Sequence, residues 1–307
     1  MSQSSTDEHR VGAAYALAAF LFWGFAALFF KLLATASAFE ILAHRVWWSC
    51  VLLALLLRGM GKLRVALALF RDRQAMVTLL ATALLVGSNW LVFIYSIVAN
   101  RVLESSLGYF INPLVNVLLG MMFLGERLNP RQWFAVAAAT AGVAYVTWQT
   151  GNLSWISLTL AGTFGLYGLL RKQTKVPAVE GLFVETVLLG PIALGAIFWF
   201  ELNGQAAFLH QGRLIDLTFV LTGLVTTLPL LWFTAAARRL NLSTVGFFQY
   251  IAPSCMFLLG VFVFHEPFSR VQLVTFSLIW LGLVVFSLDS LYRMKKAGLK
   301  PAVTAAK

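Results

Sequence analysis

Charged residues are scarce in this chain, at 11% of 307 residues, and only two cysteines are present. So little charge excludes a solvated surface over the whole chain, because soluble domains carry about 25% charged residues. Cys50 and Cys255 lie far apart inside apolar runs, so their spacing predicts neither a disulfide framework nor a thiolate metal site. No phosphate-binding glycine loop, His-Glu-x-x-His motif or acidic metal motif occurs either. We therefore predict no enzymatic activity, no cofactor and no metal site.

Apolar residues are abundant instead, at 60% of the chain, with 26 Phe and 10 Trp. The net charge of +11 resides in short basic clusters between apolar runs, a pattern typical of membrane anchors and not of a nucleic-acid surface. The apolar run Val11–Phe30 exceeds the roughly 7 to 15 residues of a signal-peptide core, which favours a spanning helix. The sequence therefore predicts that lipid is the main solvent and that nucleic acid is not a partner.

Ten predicted spans follow one another along the chain. A membrane crossing needs roughly 20 mainly apolar residues. Cutting at charge clusters and turn residues gives spans at 11–34, 38–58, 75–98, 103–124, 131–149, 153–171, 178–200, 214–237, 243–264 and 270–292. The segment 59–74 is predicted to be an interfacial connection. Most basic residues fall on one side of this arrangement, which predicts that both termini are cytoplasmic.

The second half of the chain repeats the first at an offset of 140 residues. Prolines, glutamates and glycines recur at this spacing, as in the pairs Pro113 and Pro253, Glu126 and Glu266, and Gly142 and Gly282. Because each half has five spans, an odd number, the second copy must enter the membrane inverted. The predicted fold is an all-α integral membrane protein with ten transmembrane helices in two inverted five-helix repeats. The predicted domains are a cytoplasmic tail at 1–10, repeats at 11–149 and 153–292, and a basic cytoplasmic tail at 293–307.

Two prolines lie halfway along the fourth and ninth predicted spans. Pro113 and Pro253 each remove an N–H and so free the carbonyl four residues earlier. Polar side chains around them are stable in hydrocarbon only against protein, water or ligand. We predict that these kinks line a midplane chamber whose binding residues are Tyr109, Asn112, Asn116, Gln249 and Tyr250. The alternative is a pair of kinks packed by neighbouring helices.

Polar and aromatic side chains also mark the third and eighth predicted spans. Asn89 and Trp90 lie on the third span, and Thr226 and Thr227 lie on the eighth. Because aromatic faces stack on apolar or cationic solutes, Asn89 and Trp90 join the predicted binding residues. The alternative is that such residues help helices pack or anchor at the interfaces.

Four ionisable side chains within predicted spans are candidates for a charged pathway or for coupling. Charge within a span is costly and usually faces a bundle interior or water. Glu40, His44 and Arg45 lie on the second span and Glu185 lies on the seventh. Glu40 has capping as an alternative role, and a lone His44 is more often a packed residue than a base. Arg45 and Glu185 are opposite in sign and 140 residues apart, at equivalent positions of the repeat, so they are the better candidates for a charged pathway or for coupling. Whether they pair with each other stays open.

Four stretches together resemble a known family. They are EILAHR at 40–45, GSNWL at 87–91, ESSLGYFINP at 104–113 and GFFQYIAP at 246–253. They resemble the RarD branch of the EamA family, in the drug/metabolite transporter superfamily, and the resemblance covers nearly all of the predicted spans. The sequence departs from it at Ala252, where the family has Gly. The resemblance implies ten spans, two EamA repeats, an inner-membrane location and a permease role linked by name to chloramphenicol sensitivity, but transfers no binding residues.

These features together predict a multi-pass secondary transporter of the bacterial inner membrane. It would move small organic metabolites or drug-like solutes by alternating access at a midplane site between the repeats. Its predicted partners are the solute and membrane lipid. The alternative is a membrane-embedded enzyme acting on a lipid or isoprenoid substrate, which would need an acid/base or metal constellation. Substrate, direction, coupling ion and oligomeric state stay open at this point.

Overall fold

The computed structural model describes residues 2–124, 128–152, 154–240 and 248–296, and these residues form eleven α-helices. In chain order the helices are α1 Ser2–Lys31, α2 Ala38–Gly59, α3 Leu63–Ala68, α4 Arg73–Val98, α5 Val102–Leu124, α6 Pro130–Thr150, α7 Trp155–Gln173, α8 Ala178–Leu202, α9 Arg213–Ala237, α10 Ile251–Leu258 and α11 Arg270–Lys296. A 3₁₀ turn at Leu69–Arg71 follows α3, and a π turn at Leu259–Val263 continues α10.

The predicted ten-span, all-α architecture is confirmed. Seven helices, α1, α2, α4, α5, α8, α9 and α11, contain segments long and apolar enough to cross a membrane. Helices α6 and α7 have 21 and 19 residues but are more polar, and α10 with its π turn is a shorter apolar helix, Ile251–Val263. Helix α1 begins at Ser2, so most of the segment predicted as an N-terminal tail is helical.

The connection at 59–74 contains the short helix α3 followed by the 3₁₀ turn. Its apolar residues Val65 and Leu67 are about half exposed, at 53% and 49%, and Arg64 is exposed beside them. Apolar side chains next to an exposed arginine suit the boundary between headgroups and hydrocarbon.

Local signals explain where several helices begin. The Asp72 carboxylate accepts the N–H groups of Gln74 and Ala75 at 3.0 and 3.1 Å, which satisfies two donors at the start of α4. Asn129 and Gln132 form a reciprocal capping box at the start of α6. These polar caps allow apolar helices to follow one another after short connections.

The two halves of the protein interdigitate. Helix α1 packs against α9 and α10, and α7 packs in the same way against α4 and α5. Helix α2 packs against α8 and α9, and α8 packs against α2 and α4. In the repeat, α1, α2, α4, α5 and α6 correspond to α7, α8, α9, α10 and α11. Each contact named above therefore has an equivalent contact in which the halves are exchanged, and the contacts α5–α10 and α6–α11 are their own equivalents. This is the two-fold relation that inverted repeats require.

Two matched glycines allow α6 and α11 to approach closely. A Cβ atom at Gly282 would lie 2.7 Å from the carbonyl oxygen of Ala135, and one at Gly142 would lie 3.0 Å from the carbonyl oxygen of Thr275. Ala135 and Thr275 are also 140 residues apart, so exchanging the halves swaps the two contacts. The glycine repeat in the sequence thus reflects one symmetric helix contact.

Glu266 fixes the start of α5. Its carboxylate accepts the N–H groups of Val102 and Leu103, the latter at 2.8 Å, at a helix end that has unpaired donors and a positive dipole. Burial raises the pKa of the Glu266 carboxyl, and the two backbone donors act in the opposite direction. Its repeat counterpart, Glu126, lies outside the described residues.

Candidate functional site

Arg45 is a buried cation in the second span, with 6% of its surface exposed. Its Nε donates to the hydroxyl of Thr226 on α9 at 2.9 Å. The guanidinium carbon lies 4.3 Å from the ring centroid of Trp90 and 5.2 Å from that of Phe30, which are cation–π distances. Its Nη1 has no hydrogen-bond partner in the described protein, and none of the ion pairs among the described residues involves Arg45. The cation is held by an alcohol and by aromatic faces rather than by a carboxylate.

Further polar groups without partners belong to residues of α2 and α9. The indole N–H of Trp48, the hydroxyl of Ser49 and the hydroxyl of Thr227 are buried and lack a hydrogen-bond partner among the described residues. We call Arg45, Trp48, Ser49, Thr226 and Thr227 the α2–α9 seam. Gly223 allows α2 and α9 to approach closely, since a Cβ atom at this position would lie only 2.6 Å from the Trp48 carbonyl oxygen.

Asn89 connects three helices. Its Nδ2 donates to the carbonyl of Leu160 at 3.0 Å and to the hydroxyl of Thr163 at 2.9 Å, both on α7. Its Oδ1 accepts from the hydroxyl of Tyr109 on α5 at 3.0 Å. With 2% of its surface exposed and both amide atoms engaged, Asn89 holds α4, α5 and α7 together. In the structure Asn89 therefore helps helices pack, which was the alternative to solute binding for this residue.

Aromatic rings extend from the region of Arg45 towards Glu185. We call Phe30, Phe93, Tyr109, Phe164 and Tyr167 the aromatic series. Successive centroids lie 6.0 Å apart from Phe30 to Phe93, 6.0 Å from Phe93 to Tyr109, 6.1 Å from Tyr109 to Phe164 and 6.2 Å from Phe164 to Tyr167. Such spacings are those of edge-to-face and stacked pairs. The series is a continuous set of ring contacts between the two buried charges, and its members Phe30 and Phe93 are buried in the hydrophobic core.

Glu185 lies at the other end of the aromatic series and has no exposed surface. Its carboxylate accepts from the hydroxyl of Thr82 on α4 at 2.7 Å and from the hydroxyl of Tyr167 on α7 at 3.3 Å. The Nε of Arg171, near the end of α7, lies 3.9 Å from Oε1. Glu185 is therefore paired with Arg171 rather than with Arg45.

The inverted repeat explains why Arg45 and Glu185 are apart. Each lies seven residues after the first residue of its helix, α2 or α8. These helices are antiparallel in the predicted topology, so equivalent positions lie on opposite sides of the midplane, separated by roughly 13 Å along the axes at 1.5 Å per residue. Each charge is instead bound by a threonine of the other half, Thr226 for Arg45 and Thr82 for Glu185. Equivalence in the repeat thus predicts similar surroundings and not mutual contact.

Glu40 and His44 share a face of α2 near its first turns, as the spacing predicts. The Glu40 carboxylate accepts the N–H groups of Ala207 and Phe208 at 2.7 and 3.1 Å, in the connection between α8 and α9. The ring of His44 lies 4.5 Å from that of Phe208 and 4.6 Å from that of Phe219. Glu40 therefore caps backbone N–H groups and His44 packs against aromatic rings, as in the alternatives for these two residues. No hydrogen bond among the described residues joins either of them to the α2–α9 seam.

The predicted chamber residues on α5 differ in their surroundings. Asn112 has no exposed surface, and neither of its side-chain amide atoms has a partner among the described residues. Asn116, one turn further, is exposed, and its Oδ1 lies 3.4 Å from the position of a Cβ at Gly165 on α7. Pro113 lies inside α5, as predicted. Asn112 is therefore the chamber candidate with unused hydrogen-bonding capacity.

The ninth predicted span is described from Phe248 onwards, so the predicted kink at Pro253 stays a prediction. Pro253 is the third residue of α10, where a helix has unpaired N–H groups and a proline removes no intrahelical bond. Its own carbonyl accepts from the hydroxyl of Ser106 on α5 at 2.8 Å, which joins the two proline-containing spans. Gln249 and Tyr250 are half-buried just before α10 begins. Residues 241–247, in the first part of this predicted span, lie outside the described residues.

Thr82, Tyr167 and Arg171 were not among the predicted site residues. Arg171 is the last residue of the predicted span 153–171 and adjoins Lys172 and Lys175, so the sequence places it among the basic residues of the cytoplasmic side. Its distance from Glu185 on α8 emerges only in the assembled bundle, where α4 packs against both α7 and α8. One signal in the sequence is a weaker match at the start of each half, where Trp23-Gly24 corresponds to Tyr167-Gly168 at an offset of 144 residues.

The inverted ten-helix fold with buried polar groups near its centre defines a multi-pass membrane transporter of the drug/metabolite type. The EamA-like transporter family matches residues 10–148 and 153–288, once in each half. An "Uncharacterized transporter" of Vibrio cholerae serotype O1 is 49% identical over 285 residues, which are 93% of this chain and 94% of that protein. "Protein RarD" of Salmonella typhi is 46% identical over 290 residues, which are 94% and 98% of the two chains. The chain therefore belongs to the EamA-like transporter family, in its RarD branch.

The same fold is found in a solved structure. A crystal structure superimposes with a TM-score of 0.58 at 19% sequence identity, and the match covers 90% of this chain and 97% of the other. The apolar helices and the bacterial relatives define a multi-pass protein of the bacterial inner membrane.

Proposed function

We propose that this protein is a secondary transporter that moves a small organic solute by alternating access. Both termini would face the cytoplasm, and residues 11–149 and 153–292 would be the two repeats that move. The observation that carries the proposal is the matched pair of buried charges, Arg45 bound to Thr226 and Glu185 bound to Thr82. Each bond joins a helix of one half to a helix of the other. Motion between the halves would therefore break or form it.

The proposed binding site lies beside the aromatic series, near the centre of the bundle. Asn112 supports this location because its buried amide has a free donor and a free acceptor in the described protein. Trp90 is half-buried and stacks on Arg45, so it offers an aromatic surface beside that cation. Asn116, Gln249 and Tyr250 complete the proposed site, whereas Asn89 and Tyr109 position the helices around it.

Glu185 is the proposed coupling group. Its partners come from both halves, since Thr82 belongs to the first half and Arg171 to the second. Motion between the halves would remove the threonine bond and leave the arginine in place. Changing the hydrogen bonds of a buried carboxylate changes its affinity for a proton. Such a change links proton binding to the access state.

Cysteine labelling tests the proposed topology. In a Cys50→Ser, Cys255→Ser background, single cysteines at Val65 and Lys175 should react with a membrane-impermeant maleimide only after the inner face is opened. A cysteine at Gln205 should react in intact cells. These three positions are exposed, so access does not depend on side-chain packing. Labelling of Val65 and Lys175 from the periplasm would rule out cytoplasmic termini, and labelling of the equivalent positions Val65 and Gln205 from the same side would rule out the inverted arrangement.

Solute flux tests the function itself. Metabolites released by cells with and without the protein are compared, and each compound released in larger amounts is loaded into vesicles containing the purified protein. We expect at least one of these compounds to leave the vesicles faster than from protein-free vesicles. If none does, transport is excluded as the function. Chemical conversion of such a compound in detergent, without any compartment, would instead favour the membrane-enzyme alternative.

A further inference from the structure

The α2–α9 seam contains hydrogen-bond donors that have no acceptors. The Nη1 of Arg45 and the Nε1 of Trp48 are buried and without partners in the described part of the chain, and both groups can only donate. Arg45, Trp48 and Ser49 are spaced as i, i+3 and i+4, so they lie on one face of α2. A buried donor without an acceptor is destabilising. The missing partner is therefore a group that accepts hydrogen bonds.

The charge of Arg45 also lacks a counterion among the described residues. Glu185 is bound by Thr82, Tyr167 and Arg171. The Oε1 of Glu40 accepts two backbone N–H groups, whereas its Oε2 has no partner among the described residues, and no hydrogen bond or ion pair among them joins either acid to Arg45. Cation–π contact with Trp90 stabilises a guanidinium but leaves its in-plane donors free. An acceptor that also carries negative charge would satisfy both deficits.

We propose that the α2–α9 seam binds the carboxylate of a small organic anion whose apolar body lies along the aromatic series. A guanidinium presents a flat edge of N–H donors that matches the two oxygens of a carboxylate, and Thr226 already fixes its orientation through Nε. This inference rests on the proposed function, because it names the class of solute for that site.

The surroundings select an anion over a zwitterionic amino acid. An ammonium group beside the carboxylate would need a nearby acid, and no ion pair or hydrogen bond recorded for the described residues brings an acidic side chain to Arg45. Phe30 and Trp90 lie over the guanidinium and offer apolar contact instead. The solute therefore carries a carboxylate and an aromatic or aliphatic body, without a positive group next to the carboxylate.

Thermal unfolding of the purified full-length protein in detergent tests the assignment with four probes. The probes are 3-phenylpropanoate, its neutral amide 3-phenylpropanamide, the zwitterion phenylalanine and inorganic phosphate. We expect the acid to raise the Tm at concentrations at least tenfold lower than any of the other three. Arg45→Gln should remove this preference, and Arg45→Lys should restore part of it because the charge returns without the planar donor edge.

Two further variants separate binding from folding. Trp48→Phe removes one donor and keeps an aromatic ring, so it should weaken the acid several-fold in a folded protein. Arg131→Gln is the matched control, because that arginine is 58% exposed and pairs with Asp289 at the bundle surface. The control should keep the full preference for the acid.

Several results would overturn the anion site. The first is a Tm that the acid does not raise, or raises no more effectively than the amide or inorganic phosphate. The second is an unchanged preference for the acid in both Arg45→Gln and Trp48→Phe.

Flux measurements distinguish failure of the anion site from failure of the transport proposal. If the acid binds through Arg45 but does not cross vesicle membranes containing the protein, the anion site stands and transport of that anion fails. If the protein moves other solutes while the acid neither binds nor competes, transport stands and the anion site is wrong.

Discussion

Glu185→Gln removes the buried negative charge from α8 and leaves the side chain almost unchanged in size. The Nε of Arg171 lies 3.9 Å from Oε1 of Glu185, a separation at which two unit charges attract by about 4 kcal/mol at an effective dielectric constant of about 20. The glutamate has no exposed surface and the arginine side chain is 13% exposed, so solvent screens the pair weakly. Desolvation and imperfect geometry oppose this attraction. We therefore expect a coupling free energy of about 1–3 kcal/mol between the two residues.

A double-mutant cycle measures that coupling. The free energy of unfolding is determined in detergent micelles for the wild type, Glu185→Gln, Arg171→Gln and the double variant. The losses of unfolding free energy in the two single variants should together exceed the loss in the double variant. The reason is that each single variant leaves the other charge buried without its partner. A second cycle with Arg45→Gln and Glu185→Gln should show additivity, since these residues have different partners. Additivity in the first cycle, or equal coupling in the second, would refute the assignment of the pair.

Further variants test the contact between α6 and α11, the proposed binding residues and the proposed coupling group. Gly282→Ala places a Cβ 2.7 Å from a carbonyl oxygen of α6 and should lower stability by about 1–3 kcal/mol in thermal unfolding, whereas Gly195→Ala, with nothing within 4 Å, should not. Asn112→Leu and Gln249→Leu should reduce flux far more than membrane abundance, because they remove polar partners for the solute at similar volume; unchanged flux in both would remove them from the site. Glu185→Gln should lose the response of transport to an imposed pH gradient, and a wild-type response would exclude proton coupling through this residue.

The inverted repeat could be predicted from the sequence because its spacing reflects physical contacts that recur in both halves. Gly142 and Gly282 recur at an offset of 140 since each faces a carbonyl oxygen of the other helix, and any larger side chain would clash there. Apolar length and basic clusters likewise predict helices and their ends, because lipid admits few alternatives. Such local and repeated constraints are visible in one sequence.

The partners of the buried charges could not be predicted in the same way. The repeat shows that Arg45 and Glu185 are equivalent, but inversion places equivalent residues on opposite sides of the midplane, and nothing in the spacing indicates which helix lies opposite each one. Arg171 ends the predicted span 153–171 beside other basic residues, so the sequence indicates the cytoplasmic side for it but not its partner. For Asn89 the sequence left solute binding and helix packing as alternatives, and only the placement of Leu160 and Thr163 beside it shows its partners. Contacts between distant segments depend on the assembled bundle.

The two charged sites have different electrostatic consequences for a solute. Glu185 is paired with Arg171, so the inner half of the proposed pathway is close to neutral, whereas the described residues give Arg45 no counterion. An organic anion that leaves the cytoplasm would therefore move towards positive charge before it is released. The membrane potential, negative inside, favours the same direction by about 2.3 kcal/mol per elementary charge for each 100 mV. For a monovalent anion this contribution alone sustains a roughly 50-fold gradient at 100 mV, since each 1.4 kcal/mol is tenfold. An anion-selective site in the outer half is therefore compatible with export to which the membrane potential contributes alongside the proposed proton coupling at Glu185.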